Sequence, residues 1–104
     1  MQPLVFNKEV LLKQLAANSG RIKSYGVKEL GLFGSFKNNS AIHADSDVDF
    51  LVEFDQGKKT FDNFMDLSFY LEGLLGRKVE LVTMQSLSKY IGPHILKQVE
   101  NVVL

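Results

Sequence analysis

The 104 residues suffice for one small domain and are too few for two. Twelve basic and twelve acidic residues cancel, so no excess positive charge is available to grip a nucleic-acid backbone, which disfavours nucleic acid as the main partner. A 45% apolar content allows a real core, while the lack of cysteine excludes disulfides and thiolate metal ligands.

No apolar run reaches membrane-spanning length, and no basic-then-apolar leader opens the chain. A cytoplasmic protein is expected. Asn7 is suited to cap a first helix with Glu9 in its opening turn. Val10, Leu11, Leu15, Ala16 and Ile22 fall near helical spacing. Asn18-Ser19-Gly20 interrupts that pattern: either Ser19 restarts a second short helix or one frayed helix runs to near Tyr25. Gly26 is placed as a left-handed stop. Lys28 to Phe33 reads as a strand, in which Gly31 leaves one face open to close approach. Gly34-Ser35 ends it, and residues 36–44 read as a short helical turn and loop.

Val48 to Phe54 is the second strand, and residues 55–59 are a polar turn. Thr60 or Asp62 can cap a helix through Leu75, with Phe61, Phe64, Met65, Leu67, Leu71 and Leu74 or Leu75 inward. Gly76 stops it. Lys78 to Thr83 is the third strand, and Ser86 can cap a short turn. Pro93 suits the first turn of a last helix reaching about Glu100. The tail Val102-Val103-Leu104 is expected to bury on the sheet or on a partner. The first two strands should pair antiparallel, and the intervening helix allows a parallel third strand. The expected fold is therefore α/β (α+β), a small mixed sheet with helices on one side.

Side chains alternate along a strand, so Asp47 and Asp49 point one way while Val48 and Phe50 point into the core. Adjacent carboxylates repel, and a divalent cation between them relieves this. Magnesium suits the position, since it takes few carboxylates, keeps waters and binds substrate phosphates. A parallel third strand would bring Glu80 to the same face, giving a set suited to a two-metal site for phosphoryl or nucleotidyl transfer. Gly34 lets the backbone approach a ligand, and the Ser35 hydroxyl with nearby amides can donate to phosphate oxygens. Lys37 can add charge there or remain solvated. These residues describe a site for a nucleoside triphosphate.

Asp45, Asp47 and Asp49 superficially match the start of an EF-hand loop. Phe50 stands where its glycine belongs and Gln56 where its closing glutamate belongs, which rules calcium out. His43 reads as an exposed loop residue and His94 as a helix-start residue.

LFGSF followed by SDVDFLVEF resembles the minimal nucleotidyltransferase (MNT) domain of the DNA polymerase beta superfamily. The family pattern is Gly-Ser, a loop, Asp-x-Asp and a later acidic strand residue; Gly34, Ser35, Asp47, Asp49 and Glu80 match it. Residues 1–104 are then expected to be a single nucleotidyltransferase domain with the polymerase beta-like fold. Two departures stand out. Many members carry Ala-Arg-Gly-Glu where this chain has Lys37-Asn38-Asn39-Ser40, and aspartate is common at the position of Glu80.

The resemblance implies that magnesium held by Asp47, Asp49 and Glu80 orients ATP or another nucleoside triphosphate for attack on its α-phosphorus. Glu80 is left open between base and metal ligand. Larger relatives carry an added acceptor-binding domain, for which this length leaves no room. Similar MNT proteins act as antitoxins that adenylylate a tyrosine of a helical HEPN ribonuclease toxin, and a HEPN-type partner is the leading expectation. A module that neutralises its partner by contact, and a transferase for a small molecule or RNA, are the alternatives. A homo-oligomer is left open.

Overall fold

The computed structural model describes residues 5, 7–38, 42–43, 45–83, 86 and 92–104. Local signals set most element ends. The Asn7 side chain accepts from the Val10 amide at 2.8 Å and starts α1, Lys8–Ala17. The break at Asn18 is real, and α2, Ser19–Ser24, restarts beyond it. Of the apolar positions expected inward on these helices, Leu11, Leu15 and Ile22 are buried, whereas Val10 and Ala16 face solvent.

Gly26, at φ 86°, turns the chain into β1, Val27–Phe33. A single turn, α3, Ser35–Asn38, follows Gly34. Its Phe36 is fully buried, so this segment is less polar in role than its composition suggests. Strand β2 spans Val48–Phe54. Thr60 then caps α4, Phe61–Leu75, by accepting from the Asn63 amide at 3.0 Å. Leu67, Leu71, Leu74 and Leu75 are buried along α4, each contributing roughly 1.5–3 kcal/mol by burial. Phe61, expected inward, is 77% exposed; it is the first residue of α4, ahead of the buried stripe that starts at Leu67. Gly76, at φ 67°, closes the helix. Strand β3, Val79–Thr83, comes next. The turn expected to follow Ser86 lies outside the described residues. Helix α5 is Gly92–Gln98, and β4 is Glu100–Asn101.

The strand order is β3-β2-β1-β4. As expected, β1 pairs antiparallel with β2, and β2 pairs parallel with β3. Strand β4 was not foreseen. It pairs antiparallel with β1, setting Gly31 opposite Asn101 and Leu32 opposite Glu100. The open face of Gly31 is used here: a Cβ on it would lie 2.3 Å from Val99 Cγ1. Lys8 ties α1 to β4 through Glu100 at 2.8 Å. In the tail Val102 is buried, while Val103 is exposed.

One face of the sheet carries the core. Val48, Phe50 and Val52 of β2 pack in one cluster with Leu11 and Leu15 of α1, Ile22 of α2, and Leu67, Leu71 and Leu75 of α4. The other face carries Asp49, Leu51 and Glu53. There Leu96 and Val99 line a cavity of about 350 Å³ with Leu51, Gly31, Glu29, Glu53 and Asn101. Among the described residues no helix is long and apolar enough to cross a membrane.

Candidate active site

Three strands meet in one row at the edge of the open face. Phe33 is opposite Asp49, and Asp49 is opposite Glu80. Residues directly opposite share a face, so the Asp49 and Glu80 side chains leave the sheet together. Asp47 lies just before β2, two residues from Asp49, and its charge reaches the Asp49 carboxyl. In the neighbouring row Val48 pairs with Val79, and both are buried. Apolar residues on one side thus fix the register that gathers carboxylates on the other.

The end of β1 reaches the same place. Gly34, at φ 76°, directly follows Phe33, and a Cβ on it would lie 2.2 Å from Asp49 Oδ2. The carboxylate therefore rests against bare backbone, where a side chain would displace it. Ser35 and Lys37 follow on α3, both partly buried.

The electrostatics agree with this crowding. The Asp49 carboxyl is pushed up to about 6, first by burial, then by the charge of Glu80 and then by that of Asp47. Such a group keeps its proton to a higher pH than an ordinary carboxylate, and positive charge nearby would favour its ionised form. Among the described residues, no three His, Cys, Asp or Glu side chains already converge on a common metal position. The carboxylates are neighbours by register and charge rather than a closed cage. Magnesium, which binds through one or two carboxylates and completes its shell with water and substrate phosphates, needs no such cage. The 350 Å³ cavity starts further along the face at Leu51, and the three carboxylates do not line it.

His43 is exposed, and the His94 ring pairs with Gln98 at 3.0 Å. Two residues near the site were not foreseen. Glu72 of α4 accepts from the Val79 amide at 3.0 Å, beside Glu80. The Arg77 guanidinium is buried and donates from Nη1 to the carbonyls of His43 and Ser46, at 2.8 and 2.9 Å. The one sequence signal for Arg77 was an arginine just past the Gly76 stop, in a chain with two arginines against ten lysines.

The nucleotidyltransferase domain family matches residues 11–102. The chain belongs to this family. Protein adenylyltransferase MntA of Thermococcus cleftensis is 43% identical to this nucleotidyltransferase over 75 residues, 72% of this chain and 74% of that protein. MJ1379 of Methanocaldococcus jannaschii, assigned as a protein adenylyltransferase, is 35% identical over 102 residues, 97% of this chain and 95% of its own length. A structure solved for a protein assigned as a minimal nucleotidyltransferase superposes with a TM-score of 0.78 at 30% identity, covering 90% of this chain and 94% of that one. A chain from the Shewanella oneidensis complex of a tri-AMPylated HEPN toxin with an MNT antitoxin shares the fold, with a TM-score of 0.64 at 17% identity over 92% of this chain and 71% of that one.

Proposed function

We propose that this nucleotidyltransferase is a magnesium-dependent protein adenylyltransferase that moves AMP from ATP to a hydroxyl of a helical HEPN-type toxin, and so serves as a cytoplasmic antitoxin. The observation that carries the reading is the row of Asp49 and Glu80, with Asp47 beside it, against the bare backbone of Gly34. The names of the Thermococcus and Methanocaldococcus relatives support adenylyl transfer to protein, and the Shewanella complex supports the HEPN partner.

In this reading Asp47 and Asp49 hold magnesium, with Glu80 beside them. When bound, magnesium neutralises phosphate charge and stabilises the attacking and leaving oxygens. The Ser35 hydroxyl and the amides after Gly34 donate to the triphosphate, and Lys37 adds charge. The acceptor hydroxyl attacks the α-phosphorus, its proton leaves, and pyrophosphate departs. Glu80 takes that proton or completes the metal set; the pH profile of Glu80→Gln distinguishes the two.

The test is incubation with magnesium, labelled ATP and the protein encoded beside this one. Label on the partner, lost in Asp47→Asn, is the expected result. A stable complex that never takes label and is unaffected by Asp47→Asn would favour neutralisation by contact. That second reading is favoured by Asn38, exposed on α3 at the position where the resembled family pattern has arginine. Label without any protein partner would mark a transferase for a small molecule or RNA.

A further inference from the structure

We infer that Arg77 is a positioning residue, whose one guanidinium fixes the three chain segments carrying the site relative to each other. It is 5% exposed, deep for the most strongly basic side chain. Nη1 donates to the carbonyl of Ser46, the residue before Asp47, and to that of His43. Nε donates to the carbonyl of Val5. The planar group lies over the Phe36 ring, with Cζ 4.9 Å from its centroid, and Phe36 follows Ser35. Arg77 itself stands three residues before Glu80. One side chain thus touches the segment delivering Asp47 and the helix holding Ser35, from the chain that delivers Glu80.

The segment before β2 needs this support. It lies outside the sheet ladder, so its carbonyls require other donors. His43 and Ser46 are tied to each other, through the Ser46 amide to the His43 carbonyl at 3.0 Å and the His43 amide to Ser46 Oγ at 3.0 Å. Arg77 then fastens that closed unit to the body of the protein. Beyond it, Val48 donates to the Lys78 carbonyl at 3.0 Å and the β2–β3 register begins. Only arginine suits the post: a fixed fork of donors reaches separated carbonyls while its flat face stacks on a ring, and a lysine ammonium does neither.

The consequence for metal binding and transfer rests on the nucleotidyl-transfer reading; the consequence for backbone order does not. The experiment therefore uses two readouts on the full chain, in wild type, Arg77→Lys, Arg77→Met and Phe36→Leu. Leu71→Ala is the control for lost stability away from the site. The first readout is amide hydrogen exchange at Ser46 and Val48. Faster exchange there in Arg77→Lys, relative to the α4 amides, is expected. Exchange unchanged at both amides, or raised no more than in Leu71→Ala, overturns the inference.

The second readout is Mn²⁺ affinity with AMP-PNP present, measured by electron paramagnetic resonance at a temperature where every variant is folded. A roughly 10–100-fold loss in Arg77→Met or Arg77→Lys is expected, as for other groups that hold metal ligands in place. Leu71→Ala should retain wild-type affinity. If Arg77→Met does not fold, Arg77→Lys and Phe36→Leu carry both readouts. Wild-type Mn²⁺ affinity in folded Arg77 variants overturns the role at the site. A wild type that binds no Mn²⁺ counts against the nucleotidyl-transfer reading, and the exchange pattern still decides whether Arg77 positions these segments.

Discussion

The two faces of β2 are built from alternate residues of one strand and are put to opposite uses. Val48, Phe50 and Val52 lie against three helices with almost no exposure, while Asp47 and Asp49 gather charge at the open edge. The buried face fixes the register, and the register places the carboxylates. Stability and chemistry are thus separable one residue apart, and substitutions at neighbouring positions should fail in different ways.

The largest contrast is between positions 49 and 50. Phe50→Ala leaves a hole in the core and should cost about 3–5 kcal/mol in urea unfolding. Asp49→Asn should leave unfolding nearly unchanged or improve it, since a crowded negative charge is removed. Under the proposed mechanism it should lower label transfer more than about a hundredfold, because a metal-held charge would contribute several kcal/mol to the transition state. Equal loss of stability in both variants would contradict the division of faces.

Gly34→Ala sharpens the comparison from the other strand. Its Cβ would meet Asp49 Oδ2 at 2.2 Å, on a backbone at φ 76°. A loss on the order of 1–3 kcal/mol is expected from the backbone strain. Part of the total should vanish when Asp49→Ala is added, which a double-mutant cycle measures. Strict additivity would place the carboxylate away from Gly34.

The charged face should also respond to pH. The folded carboxyl of Asp49 sits at about 6 against an ordinary 3.8, so between those values the folded state holds a proton that the unfolded state has released. The contribution of this group therefore favours folding as pH falls through 6 and is lost as pH rises through it. Melting temperature of the metal-free protein should carry that slope, and Asp49→Asn should remove it. Magnesium or manganese with ATP should raise the melting temperature most above pH 6, where no proton competes, and Asp49→Ala should abolish that gain. The smallest effects belong to features away from both faces. Asn7→Ala should cost about 1 kcal/mol through the lost cap, and Phe61→Ser should stay within about 0.5 kcal/mol, because that ring is already in solvent.

What could be read from the sequence follows from how local each cause is. The caps at Asn7 and Thr60, the stops at Gly26 and Gly76 and the alternation along Val48–Phe54 act within a few residues, so they stand where the sequence places them. Asp49 has its face decided by the same alternation. Strand β4 was illegible because Glu100 and Asn101 carry no strand pattern, and their pairing depends on Gly31 admitting Val99. The contacts of Arg77 with Val5, His43 and Ser46 span 72, 34 and 31 positions, and no short pattern encodes them. Phe61 was read inward from its spacing alone, which says nothing of where along a helix the buried stripe starts.

The most direct measurement is a crystal of the protein soaked with Mn²⁺ and AMP-PNP, with the metal located by its anomalous signal. The account predicts manganese bound to Asp47 and Asp49 beside Glu80, with phosphate oxygens against Gly34 and Ser35. Nucleotide bound with its manganese elsewhere on the protein, or Glu80 directed away from the aspartates in that complex, would contradict it.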